Sequence, residues 1–257
     1  MRNFRLNVQT ALATSAAMIL VAGVPLSASD VDSRIEASAK SSYNFKTYLK
    51  DDKIKVDSSG GVVTLSGTVS QQYHKYLAEE TVAGLPGVKS VTNQLTITGD
   101  QPSENSDGWI TLKVKTVLAF HPNVKAMETE VHTEKGVVTL TGKADTESQK
   151  QLTTEYAKDI DGVTEVRNNM TVDKPAKPAH RSLGEKIDDG SITAQVKATL
   201  LFHKSTHVLA TKVSTKNGVV TLHGEARTAA EKDLAGKLVQ DVHGVKQVNN
   251  KMNIRKP

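Results

Sequence analysis

One seven-residue segment occurs three times in the chain. It reads Gly61-Val-Val-Thr-Leu-Ser-Gly67, Gly136-Val-Val-Thr-Leu-Thr-Gly142 and Gly218-Val-Val-Thr-Leu-His-Gly224. The copies are offset by 75 and 82 residues, and the offsets hold without gaps over the flanking sequence. Phe45, Phe120 and Phe202 align, as do Val56, Val131 and Val213, the pairs Gly87-Val88, Gly162-Val163 and Gly244-Val245, and Asn93, Asn168 and Asn250. Such a register marks internal duplication of a unit of about 60 residues. It excludes one continuous large domain. The composition agrees, because only 4% of the 257 residues are aromatic while 24% are charged, which suits several small cores better than one big one.

Each unit has the same order of elements. An amphipathic helix opens it, with Ile110, Val114, Val117 and Leu118 on one face in the second copy and Ile192, Val196 and Leu200 in the third. The first copy, from Ile35, is more polar (Ala39, Ser42, Tyr43). Asp107-Gly108 and Asp189-Gly190 precede these helices, with Asp expected as N-cap. A short strand follows. Next come turns at Ser58–Gly61, Glu134–Gly136 and Lys216–Gly218, where Gly and Asn take positive φ at low cost. The Val-Val-Thr-Leu strand returns with alternate residues on opposite faces. A second helix opens with a capping box at Thr146–Gln149 and Thr228–Glu231. It ends at Gly87, Gly162 or Gly244, each suited to a left-handed cap. A last strand closes the unit. The expected fold class is α+β: three tandem small αββαβ domains, each a mixed three-stranded sheet with two helices on one face. The domains are expected at residues 30–98, 107–173 and 189–255, joined by Pro-containing linkers at 99–106 and 174–188.

Residues 1–28 read as a signal peptide. Arg2 and Arg5 precede the apolar run Ala11–Val24, and Ala28 lies at the expected cut. That run is too short to span a bilayer, which takes about 20 residues. Removing Arg2 and Arg5 takes the formal charge from +5 to +3, too weakly basic to point to nucleic acid. The chain has no Cys, so disulfides and a Cys-linked lipid anchor are excluded. The expected location is the periplasm.

No chemistry-bearing motif emerges. The recurrent glycines Gly61, Gly67, Gly87, Gly136, Gly142, Gly162, Gly218, Gly224 and Gly244 form no phosphate-cradling pattern and read as turn and cap positions. His203 and His207 are four apart, but they follow a helix rather than lie on one, and no Glu completes a His-Glu-x-x-His site; His223 and His243 share their unit without a metal-ligand spacing. No Gly-x-Ser-x-Gly elbow and no Cys nucleophile occur. No catalytic residue, metal or cofactor is expected, and the chain is read as a non-enzyme.

The segment Gly-Val-Val-Thr-Leu-x-Gly, the later Gly-Val pair and the endings Val91-Thr-Asn-Gln-Leu95, Val166-Arg-Asn-Asn-Met170 and Val248-Asn-Asn-Lys-Met252 resemble the BON domain in three copies. With the signal peptide, the layout is similar to hyperosmotically inducible periplasmic proteins with tandem BON domains. The resemblance implies a role in osmotic or envelope stress through weak binding to phospholipid membrane surfaces. The alternative it leaves is a periplasmic chaperone or scaffold that contacts exported proteins. Candidate surface residues are those that differ between copies: Trp109, near Lys113 and Lys115, and Tyr73 and Tyr76, which fall off the buried face of their helix.

Overall fold

A computed structural model describes residues 28–99, 101–173, 186–206 and 211–255. The expected signal peptide and its expected cut near Ala28, most of the expected second linker and His207 lie outside these residues or at their border. The first unit comprises α1 (Ala28–Ser41), α2 (Tyr43–Thr47), β1 (Lys53–Ser59), β2 (Val62–Val69), α3 (Gln72–Ala83), β3 (Ser90–Asn93) and β4 (Thr96–Ile97). The second runs α4 (Asp107–Phe120), β5 (Thr129–Glu134), β6 (Val137–Ala144), α5 (Glu147–Lys158), β7 (Glu165–Asn168) and β8 (Thr171–Val172). The third runs α6 (Asp189–Phe202), β9 (Thr211–Lys216), β10 (Val219–Ala226), α7 (Ala229–Gln240), β11 (Gln247–Asn250) and β12 (Asn253–Ile254). In every unit the Val-Val-Thr-Leu strand is central. It pairs antiparallel with the strand before it and parallel with the closing strand, so each sheet is mixed and the fold class is as expected.

The closing strand is broken in the middle, and the aligned asparagines explain how. The side-chain amides of Asn93, Asn168 and Asn250 donate to the helical carbonyls of Lys75, Lys150 and Lys232 at 3.0, 2.8 and 2.7 Å. Their oxygens accept from the N–H groups of Leu95, Met170 and Met252 at 3.1, 3.0 and 3.2 Å. One side chain thus ties the second helix to the interruption in the strand.

The opening helices differ from expectation at their starts. Ser106 and Asp188 are the N-caps, accepting from Trp109 N–H and Ser191 N–H. Asp107 and Asp189 are instead the first helical residues, and their carboxylates reach the hairpin turn. Asp107 accepts from Lys135 and Gly136 N–H at 2.7 and 2.8 Å, and Asp189 from Asn217 and Gly218 N–H at the same distances. Asp32 does the same for Gly60 and Gly61, within a helix that begins four residues earlier. The turns place Lys135, Gly136, Asn217 and Gly218 at positive φ, so their N–H groups converge on one anion. The amides of Gly136 and Lys135 hold the Asp107 carboxyl below its ordinary 3.8. A lowered folded-state value contributes stability above the unfolded value that is lost as pH falls through it. Asp107→Asn should therefore lower the urea midpoint at neutral pH and shrink the loss of stability as pH falls below about 4. An unchanged acid slope would reject the assignment.

The first opening helix is interrupted. Ser42 ends α1 and caps α2, accepting from Phe45 N–H. The break turns Asn44 and Tyr43 toward the third unit. Asn44 is fully buried. Its N–H donates to Ser191 Oγ, its amide nitrogen to Thr81 Oγ1 and the Ser191 carbonyl, and its oxygen accepts from Gln195 Nε2 at 2.8 Å. The three units are therefore docked, helices inward and sheets outward. One continuous apolar cluster runs from Ile35 through Phe120 to Ala194, Ala198 and Phe202.

Candidate functional site

The seam between the second and third units repeats its contacts in reverse. The Phe120 carbonyl, at the end of α4, accepts from His243 N–H at 2.9 Å, and the Phe202 carbonyl, at the end of α6, accepts from Asp161 N–H at 3.3 Å. Phe120 aligns with Phe202 and Asp161 with His243, so a local pseudo-two-fold axis relates the contacts. The next residues, His121 and His203, also align. His121 Nδ1 faces the Asp241 carbonyl at 3.1 Å, and His203 Nδ1 faces Asp159 Oδ2 at 2.9 Å. A carbonyl and a carboxylate only accept, so both rings carry their proton on Nδ1. Burial pulls the His121 value down to about 4, against the carbonyl contact and helped by His203 nearby. The Tyr156 ring stacks on His121 at 4.0 Å, and its hydroxyl donates to Asp241 Oδ2 at 2.7 Å. Burial, with that carboxylate, pushes the Tyr156 hydroxyl far up. Beside this cluster lies an open groove of ≈ 340 Å³ over Tyr156, Leu234 and Leu238, rimmed by Lys158 and Lys204. These groups lock units together. Among the described residues no group of three or more His, Asp or Glu side chains is placed to hold a metal ion.

The residues singled out from sequence do not form one surface. Lys113 is buried, and its ammonium donates to the Asp161 carbonyl at 2.6 Å and lies 3.4 Å from the Asp161 carboxylate. It fastens the two helices of its own unit. Tyr73 and Tyr76 are half-buried, because α3 is covered by the other two units. Burial, with the Asp52 charge, pushes the Tyr73 hydroxyl up to about 12 against a hydrogen bond with Thr116 of α4. Tyr76 borders a groove with Lys197, Leu200 and Leu201 of the third unit, where Lys197 pairs with Glu80. Trp109 is half-buried and Lys115 exposed, with Lys115 lining a groove between the first two units. The nine motif glycines take positive φ, but only Gly61, Gly136 and Gly218 sit in the hairpin turns. Gly67, Gly142 and Gly224 lie inside the central strands, and Gly87, Gly162 and Gly244 lie three residues beyond the C-caps Gly84, Asp159 and Asp241, none of which is left-handed.

The third unit carries an excess of cations. Residues 188–256 carry 11 Lys and Arg against 6 Asp and Glu, whereas residues 106–174 carry 9 against 11. In the third unit, Lys246, Lys251 and Arg255 are exposed along the closing strand, and Ile254 beside them is 48% exposed. Lys232 and Lys237 lie on α7, which Asn250 ties to that strand. The counterparts of Lys237, Lys251 and Arg255 are Glu155, Asn169 and Asp173 in the second unit and Glu80, Gln94 and Thr98 in the first. The fold does not require cations at those three positions, whereas Lys232 aligns with Lys150 and Lys75, and Lys246 with Lys89 of the first unit. Among the described residues no helix is long and apolar enough to cross a membrane.

A family model described as the BON domain matches residues 31–99, 106–174 and 188–256. The chain is 34% identical over 149 residues to osmotically-inducible protein Y of Escherichia coli (strain K12), covering 58% of this chain and 73% of that protein. It is 33% identical over 125 residues to the outer membrane lipoprotein DolP of Haemophilus influenzae, covering 46% of this chain and 64% of that protein. A 21 kDa hemolysin of Actinobacillus pleuropneumoniae is 33% identical over 122 residues, which is 46% of this chain and 62% of that protein.

Proposed function

The chain belongs to the BON domain family, and from that premise we propose that it is a non-enzymatic periplasmic protein of envelope and osmotic stress that binds anionic phospholipid surfaces weakly. The names of the relatives support the setting: one is osmotically inducible, another an outer-membrane lipoprotein. The observation that carries the lipid reading is the exposure of Lys246, Lys251 and Arg255 along the third unit's closing strand, with Ile254 of the same strand also exposed. Exposed cations and an exposed apolar side chain are the elements of interfacial binding. Each such cation is worth about 1 kcal/mol near an anionic surface. Trp109 and Lys115 sit on another unit and add a second weak contact at most.

Co-sedimentation with phosphatidylglycerol and phosphatidylcholine vesicles tests this. The chain should bind the anionic vesicles at low salt, and the variant K246E/K251E/R255E should bind them roughly 100-fold more weakly. Equal binding to both lipids, or binding indifferent to salt or to the triple variant, would reject the reading. Suppression of client-protein aggregation without vesicle binding would favour the chaperone or scaffold reading instead.

A further inference from the structure

We propose that strands β5 and β9 of two copies of this chain pair edge to edge and antiparallel, joining the second unit of one copy to the third unit of the other. This surface lies on the opposite edge of the third unit's sheet from the basic closing strand, and the inference does not depend on lipid binding. β5 and β9 are the outer strands of their sheets, and within one chain they do not pair with each other. Among the described residues no further strand pairs along Glu130–Glu134 or Lys212–Lys216, so what limits pairing there is the side chains they carry.

Those side chains are matched between the two strands. The burial of β5 alternates, leaving Glu130, His132 and Glu134 outward with Val131 and Thr133 toward the helices. In β9, Lys212, Ser214 and Lys216 point outward, with Val213 and Thr215 inward. The positions are equivalent by the 82-residue offset, so one element carries acids where the other carries bases. Antiparallel pairing centred on His132 and Ser214 sets Glu130 opposite Lys216 and Glu134 opposite Lys212. It keeps Val131 and Thr133 level with Thr215 and Val213 on the helix side, so the two half-buried faces stay aligned. The same charges exclude the competing contacts. Two β9 strands would set Lys212 against Lys216, and two β5 strands Glu130 against Glu134. The first unit's edge carries no single sign: Lys55 and Asp57 of β1 pair with each other at 2.9 Å.

Sedimentation velocity on the mature chain without lipid tests the pairing. Association should appear at low salt and weaken by at least about tenfold near 0.5 M salt, where screening acts within about 4 Å. E130K/E134K and K212E/K216E should each abolish it, because each leaves like charges on both edges. The fourfold swap E130K/E134K/K212E/K216E should restore it, as should mixing the two double variants. K246E/K251E/R255E should leave it unchanged. A wild-type chain that stays monomeric at low salt overturns the proposal, and so does association that survives either double swap or fails to return in the fourfold variant. Circular dichroism on each variant separates loss of pairing from loss of fold.

Discussion

Gly142→Ala should cost about 3–4 kcal/mol of stability, read as a fall in the urea midpoint of the second unit. Two causes combine at this residue. It takes φ +116, where an L side chain is strained. It also lies where β6 crosses the entry to β5, and a Cβ there would sit 1.9 Å from the Glu128 carbonyl oxygen and 3.1 Å from its carbon. That obstacle is backbone and cannot rotate away, so the strands must part. Gly60→Ala is the control. Gly60 takes φ +59, and a Cβ added to it would meet nothing within 4 Å, so only the conformational strain remains, about 1 kcal/mol. Equal losses at the two positions would show that the strand crossing yields without cost. The third copy differs in degree, since Gly224 reaches φ +142.

Phe120→Ala should cost about 4 kcal/mol and change how the chain unfolds. Phe120 is fully buried, with the Tyr48 ring of the first unit at 5.2 Å, edge to face. Its carbonyl accepts from His243 of the third unit, and the Tyr48 hydroxyl donates to the neighbouring Ala119 carbonyl at 2.9 Å. One residue therefore supports all three units. Loss of its ring leaves a cavity where their helices meet, and the expected result is a single unfolding transition that splits, with the second unit melting first. Tyr48→Phe removes only the hydroxyl contact and should cost about 1 kcal/mol with cooperativity kept. A Phe120→Ala chain that still unfolds in one transition would show that the seams do not depend on this residue.

The repeat makes the fold legible because each signal in it is local. Turn glycines, alternating valines and the capping boxes act within one unit, whereas the glycines expected to end the second helices lie three residues past the C-caps Gly84, Asp159 and Asp241. The second helices' boxes form, with Thr146 and Thr228 accepting from Gln149 and Glu231 N–H. The N3 side chains, however, reach back to Asp145 and Arg227, one residue before the cap. The aligned Asp107 and Asp189 have the look of caps in sequence, but their partners lie 28 and 29 residues away in the hairpin turn. The candidate surface residues are less legible. Tyr73 and Tyr76 are off the apolar face of an isolated helix, and that argument holds only while nothing covers α3. Lys113 looks available in sequence because helical spacing does not reveal a carbonyl waiting at the end of the neighbouring helix.

The differences between the copies hold more about the seams than any one copy does. Asn44, the buried hub of the first seam, stands where the other units have Ala119 and Leu201; His121 and His203 align with Lys46. Such departures are visible in sequence, yet nothing local distinguishes one that faces another unit from one that faces solvent. The sequence by itself determined the unit, its three-fold repetition, its element order and its family, since those follow from periodicity and backbone chemistry over short spans. Only the tertiary structure decided that the units dock through their helices, which tyrosines and lysines that docking consumes, and which edges of the sheets stay outward. Those outcomes depend on polar groups 37 to 151 residues apart meeting in one buried place, as at Asn44, where an unmet hydrogen bond costs more than a met one contributes.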